Sequence, residues 1–155
     1  MNQDCACPCG ASRFSVSGNP IGRFFCHCTI CQKVYRKPFA DVTYCRAAAV
    51  DVPADRPVEF RCYRPPRGVR RGICNRCDNP VAAFLTMVPG VNVGFVSSQN
   101  FSRPAELPTP DGHIFYHWRV ADIADSVPKL SGSLASQSHV ALRVFADLFR
   151  PGRAA

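Results

Sequence analysis

Apolar and polar residues alternate along most of this chain with a period of two rather than 3.6. Alternating or β-branched stretches at 12–17, 22–26, 39–44, 58–63, 81–87, 91–96 and 113–118 therefore predict strands. Turn chemistry separates them, at Asn19-Pro20, Pro65-Pro66-Arg67-Gly68 and Asp111-Gly112. Fourteen prolines and ten glycines leave no apolar helical pattern longer than two turns before about Leu134. Residues 29–37 are expected to form a short helical turn. Further on, Leu134, Val140, Val144, Phe145 and Leu148 recur near helical spacing, and Pro151-Gly152 follows. They predict an amphipathic helix over 133–149. The expected fold class is mainly β with a C-terminal amphipathic helix, divided into a β domain (1–132) and a helical extension (133–155). The helix is expected to cover the β body; its alternative use is as the contact of a homodimer.

The ten cysteines change this picture from fold to chemistry. Seven of them cluster, as Cys7-Pro8-Cys9-Gly10, Cys26-His27-Cys28-Thr29-Ile30-Cys31 and Cys74-Asn75-Arg76-Cys77. Short CxC and CxxC loops let two thiolates from one turn reach the same zinc ion at about 2.3 Å, and four such ligands close a tetrahedron. Seven ligands divide most naturally as four plus three. Three protein ligands with an exchangeable fourth position is the pattern of a catalytic zinc, and Cys26, Cys28 and Cys31 are close enough in sequence to share one ion. Three thiolates on Zn²⁺ leave a net negative charge, which favours thiol exchange over water activation. His27, inside that cluster, is expected to be structural and turned away from the metal.

Spacing alone leaves other partitions open. Cys28 and Cys31 could join Cys74 and Cys77 as in a zinc ribbon, or Cys5 could extend the first cluster and give two closed four-cysteine sites. Cys45 and Cys62, and Cys5 in the absence of that role, are read as small buried hydrophobes. A disulfide framework is disfavoured because no basic stretch followed by an apolar core precedes the first cluster, so a cytoplasmic location with reduced thiols is expected.

Charge and hydropathy then limit the partners. The formal net charge is +8, but seven ligated thiolates and two zinc ions would lower it to about +5. The basic residues are spread out, with one tight group at Arg61, Arg64, Arg67, Arg70 and Arg71. Nucleic acid is therefore not an expected partner. The longest apolar run, over 80–94, is broken by Thr86, Pro89 and Asn92, which excludes a membrane-spanning helix.

The order Cys7-x-Cys9-Gly10, Cys26-His27-Cys28-x-x-Cys31-Gln32-Lys33 and Cys74-x-x-Cys77 resembles the glutathione-dependent formaldehyde-activating enzyme family, which includes centromere protein V. The likeness covers about residues 5–128, with a further echo in His113-Ile114 and Asp125-Ser126-Val127-Pro128. It implies an Mss-four-like fold of coiled β-sheets around two zinc sites. A structural zinc would sit on Cys7, Cys9, Cys74 and Cys77, and a catalytic zinc on Cys26, Cys28 and Cys31. The activity it implies is that of a carbon–sulfur lyase, which joins glutathione and formaldehyde reversibly to S-hydroxymethylglutathione. A small thiol such as glutathione would then be the partner, its carboxylates received by Lys33, Arg36 or Lys37. Asp78 stands where the family carries glycine, so a left-handed backbone is expected there. The competing expectation is a non-catalytic zinc-binding module for protein or nucleic-acid interaction.

Overall fold

The computed structural model describes residues 2–64 and 68–149. The expected turn at 65–67 and the Pro151-Gly152 stop lie outside the described residues.

Two sheets form the body. The smaller contains β1 (Gln3–Ala6), β2 (Arg13–Val16) and β5 (Val50–Asp51), in the order β1-β2-β5. The larger contains β3 (Gly22–Cys26), β4 (Ala40–Arg46), β6 (Val58–Cys62), β7 (Arg70–Cys74), β8 (Pro80–Val88), β9 (Val91–Ser97), β10 (His113–Ile114) and β11 (Lys129–Leu130). Its order is β11-β10-β3-β4-β9-β8-β7-β6. All pairings are antiparallel except those of β10, which runs parallel to both β3 and β11. Among the described residues two α-helices complete the fold, α1 (Thr29–Tyr35) and α2 (Ser133–Leu148).

Strand alternation gives the large sheet two buried faces. Cross-strand partners Thr43 and Val96, and Val96 and Ala82, look towards the small sheet, where Cys45, Val96 and Ala82 pack with Phe14, Val16 and Phe101. A Cβ at Gly94 would meet the Val50 side chain at 2.8 Å, so glycine permits this close approach of the sheets. On the opposite face, Phe24, Cys26, Val42, Tyr44 and Val93 pack with Cys31 of α1 and Val144 of α2.

The mainly β class and the C-terminal helix agree with the periodicity. The strands expected at 12–17, 22–26, 39–44, 58–63, 81–87 and 91–96 correspond to β2, β3, β4, β6, β8 and β9. The expected strand at 113–118 is corrected to two residues. Phe115 turns to φ 55° and the chain enters a 3-10 turn at Tyr116–Trp118, because the Phe115 N–H donates to the Ser136 hydroxyl of α2 at 2.7 Å rather than to a strand. Strands β1, β5, β7 and β11 were not expected. Three are short or terminal, and β7 begins Arg-Arg-Gly, which carries no apolar alternation. The turn expected at 29–37 is α1, stopped by Arg36 in the left-handed region at φ 52°.

Helix α2 lies on the β body through buried Val144 and half-buried Val140, whereas Leu134, Phe145 and Leu148 of the predicted apolar positions are exposed. Ser136, Val144 and Asp147 are buried, and burial of Val144 contributes about 1.5–3 kcal/mol. Polar ties hold its middle and its C-terminal end. The Arg46 guanidinium donates to the Asp147 carboxylate at 3.1 Å, and His139 lies 3.2 Å from the buried carboxylate of Asp111. No helix among the described residues is long and apolar enough to cross a membrane.

Candidate metal centres

The first cluster is built by two similar knuckles. After β1, Cys7 accepts the N–H of Gly10 at its carbonyl (2.8 Å), and Gly10 takes φ 73°. After β7, Cys74 accepts the N–H of Asp78 in the same way (2.9 Å), and Asp78 takes φ 53°. Aspartate thus holds the left-handed position for which glycine is the usual choice, at a modest conformational cost. Each knuckle aims two thiols at one point, and the sulfurs of Cys7, Cys9, Cys74 and Cys77 all lie within 4.8 Å of one another.

This donor set fits zinc. Four thiolates at 2.3 Å on a tetrahedron are about 3.8 Å apart, and the Cys7–Cys9 and Cys9–Cys74 sulfurs are 3.4 and 3.8 Å apart. Cys74 and Cys77 already favour thiolate, whereas at Cys9 a hydrogen bond from the Ala11 N–H is outweighed by contacts with Cys7 and Cys77, which push it up to about 12. The Ser12 N–H donates to the Cys7 sulfur at 3.3 Å. Burial opposes ionisation of Cys74, yet the Ser12 hydroxyl and the backbone N–H groups of Arg76 and Cys77 pull it down to about 6.

The second cluster uses the junction between β3 and α1. Cys26 ends the strand, Cys28 is the N-cap of α1, and Cys31 lies in its first turn. The Cys28 sulfur caps the helix by accepting the Cys31 N–H at 3.4 Å. All three sulfurs lie within 4.8 Å of one another. Cys26 and Cys31 are buried, whereas Cys28 is half-buried. The sulfurs share protons unevenly. Contacts from Cys26 and then Cys31 hold the Cys28 thiol well below the usual range against its burial, while the contact with Cys28 pushes Cys26 up. A cation that replaced those protons would relieve the competition, so the trio also fits a metal of zinc's type.

The partitions left open by spacing are now decided in space. Among the described residues, Cys74 and Cys77 gather with Cys7 and Cys9 rather than with Cys28 and Cys31. Cys5 joins neither group; it is buried in the core, its thiol 3.9 Å from the Gln3 carbonyl. Cys45 is likewise a core residue. Cys62 is exposed, which corrects its reading as a buried hydrophobe, because edge strand β6 leaves it uncovered. All ten cysteines are free thiols.

His27 is turned away from the trio. Its side chain packs beside Phe39 and Tyr116, and its Nε2 lies 2.8 Å from His113 Nδ1. His113 in turn contacts Asp125 at 3.0 Å through Nε2. His27 is 1% exposed and its Nδ1 has no hydrogen-bond partner among the described residues. Burial first, then the neighbouring His113 and Arg119, lower its pKa to about 4, so the ring is neutral. The backbone is pinned as well: its N–H donates to Ile114 and its carbonyl accepts from Gln32 at 2.7 Å. The His113–Asp125 pair was visible in sequence only as a family echo; its contact with His27 spans 86 residues and has no local signal.

The basic residues nearest the trio in sequence are engaged elsewhere or exposed. Arg36 pairs with Asp78 at 3.2 Å, Lys37 donates to Gln99 at 2.7 Å, and Lys33 is exposed.

A β-rich frame that gathers one group of four thiols and one of three defines a cysteine-based protein with two potential metal centres. The family model of the glutathione-dependent formaldehyde-activating enzymes matches residues 2–117, and the chain belongs to that family. The match includes all seven clustered cysteines and ends before Asp125 and α2. A search among curated proteins gave no match.

Proposed function

We propose that this protein is a zinc-dependent carbon–sulfur lyase-like enzyme acting on a thiol adduct, with S-hydroxymethylglutathione the adduct that the family's activity suggests. The observation that carries the reading is the asymmetry of the two clusters. Four thiols supply the full donor count of a tetrahedral zinc site, whereas the second group has three, with only Cys28 partly open to solvent. Cys7, Cys9, Cys74 and Cys77 would hold a structural zinc, and Cys26, Cys28 and Cys31 a catalytic one. Zinc in the trio would supply a Lewis acid of moderated strength that favours a substrate thiol in its ionised form.

The chain's own residues supply the geometry. Cys26 and Cys31 are fixed by burial, and Cys28 by its cap on α1. In the synthetic direction the thiol sulfur attacks the aldehyde carbon and a C–S bond forms. The carbonyl π pair moves to oxygen, and the thiol proton ends on that oxygen; the lyase direction is the reverse. Free thiols at all ten cysteines accord with a reducing cytoplasm as the place of action.

The test is thiol–formaldehyde adduct formation by purified zinc-loaded protein. A rate above the uncatalysed reaction is expected, with loss of most of it in Cys28→Ser. A folded Cys28→Ser protein that keeps the full rate would refute the role of the trio. Zinc tightly bound by the trio with no rate and no thiol binding would favour a non-catalytic zinc-binding module.

A further inference from the structure

Helix α2 turns its polar side chains inward. Ser136 and Asp147 are buried; the Ser136 hydroxyl accepts the Phe115 N–H, and the Asp147 carboxylate accepts from Arg46. His139 and Arg143 both reach the Asp111 carboxylate, at 3.2 and 3.8 Å. Both charged residues of the helix, and its histidine, are thereby tied to the β body. At about 3.6 residues per turn, these four positions share one side of the helix with Val140 and Val144. Leu134, Ser138, Ala141, Leu142, Phe145 and Leu148 share the other, and Phe149 continues it past the last turn.

This outer stripe carries no charged side chain. Its five large apolar residues, Leu134, Leu142, Phe145, Leu148 and Phe149, are between 37 and 83% exposed. Single exposed apolar residues are ordinary on a protein surface, but five on one face of one helix form a patch. At about 200 Å² for a large apolar residue, their exposed parts amount to about 600 Å², the upper end of what a monomer leaves in one patch. Two such stripes laid together cover about 1,200 Å², the size at which specific protein–protein interfaces begin. Ala135 and Ala146, exposed beside the stripe, add to that area.

The chemistry of the stripe selects the partner. A lipid surface is held by lysines and arginines placed beside the apolar side chains, and the stripe itself has neither. A chain of formal net charge +8 repels its own copy where basic residues meet, and on this stripe they do not. A twofold pair sets one patch against itself, and an uncharged apolar patch is complementary to itself.

We propose that the outer face of α2 is a homodimer interface, occupied by a second copy of this chain. The helix is then covered on both sides, its polar side held to the β body by hydrogen bonds and its apolar side by the partner's stripe.

Sedimentation velocity and light scattering of the full chain, over a range of micromolar concentrations, test it. The wild-type chain should run at twice the chain mass. Leu142→Glu and Leu134→Glu should each weaken the dimer about tenfold or more, because each brings two like charges into an apolar contact. Both residues are exposed on the single chain, so far-ultraviolet circular dichroism should be unchanged. Val120→Glu, which puts the same charge on an exposed apolar residue outside α2, should leave the dimer intact. A wild-type chain that stays monomeric overturns the proposal, and binding of that monomer to anionic vesicles, lost in Leu142→Glu, would give the face to a membrane instead. A dimer that neither glutamate weakens overturns it as well, since its contact then lies elsewhere.

Discussion

Replacing Cys77 by serine should cost the fold rather than the chemistry. The four-thiol cluster joins the β1 knuckle to the β7 knuckle, with Cys9 and Cys74 65 residues apart in sequence. If a zinc clamp there restricts the unfolded chain as a covalent crosslink would, closing a loop of that length stabilises the fold by about 4 kcal/mol. That is a large fraction of the roughly 5–15 kcal/mol that separates folded from unfolded domains. A protein of this size shifts its Tm by about 2–4 °C per kcal/mol, so the expected fall is about 8–16 °C. Serine keeps the size of the side chain but is a poor zinc ligand, so the perturbation falls on the clamp and little on packing. The assay pairs thermal unfolding by circular dichroism with zinc content per chain. Cys77→Ser should lose one zinc and the stated Tm, while exposed Cys62→Ser should change neither. A Cys77→Ser protein that keeps its full zinc complement and melts within about 3 °C of wild type would refute the clamp.

Other outcomes follow from the packing. Cys28→Ser should fold with a Tm near that of the wild type and lose zinc from the trio, with the remaining zinc read by elemental analysis. Val144→Ala should destabilise by about 1–2 kcal/mol in urea unfolding, since the residue is 2% exposed and joins α2 to the face that bears Cys26. Tyr44→Phe removes the hydroxyl that donates to buried Asp111 at 3.0 Å and should cost about 1–3 kcal/mol by the same measurement. Asp125 is held down to about 2 by Lys129 first and His113 second. Its contribution is therefore complete above its ordinary pKa and is lost as pH falls from about 4 towards 2. Asp125→Asn should be less stable than wild type at neutral pH, and the gap should close across that acid window.

The grouping of the cysteines was only partly legible in the sequence. Period-two alternation set the mainly β class and placed six strands, because a half-buried strand writes its two faces into adjacent residues. The C-terminal helix was equally visible, since its apolar positions recur within one element. Ligand types and the two-residue knuckles were local facts too, including the left-handed position at Asp78. Strand β7 was hidden because Arg70 and Arg71 are held by pairing with β6 and β8 rather than by their own propensity. The 113–118 segment failed as a strand because a serine on α2 captured the Phe115 N–H.

Which thiols share a site was decided by tertiary structure alone. Spacing allowed Cys74 and Cys77 to join either the first cluster or the central one, and it allowed Cys5 to become an eighth ligand. Chain folding brought the β1 and β7 knuckles together and buried Cys5 in the core. The same holds for the His27–His113 contact, in which the partners come from distant parts of the chain. Local spacing determines which residues can bind within one turn; the packing of one sheet on the other determines which turns meet.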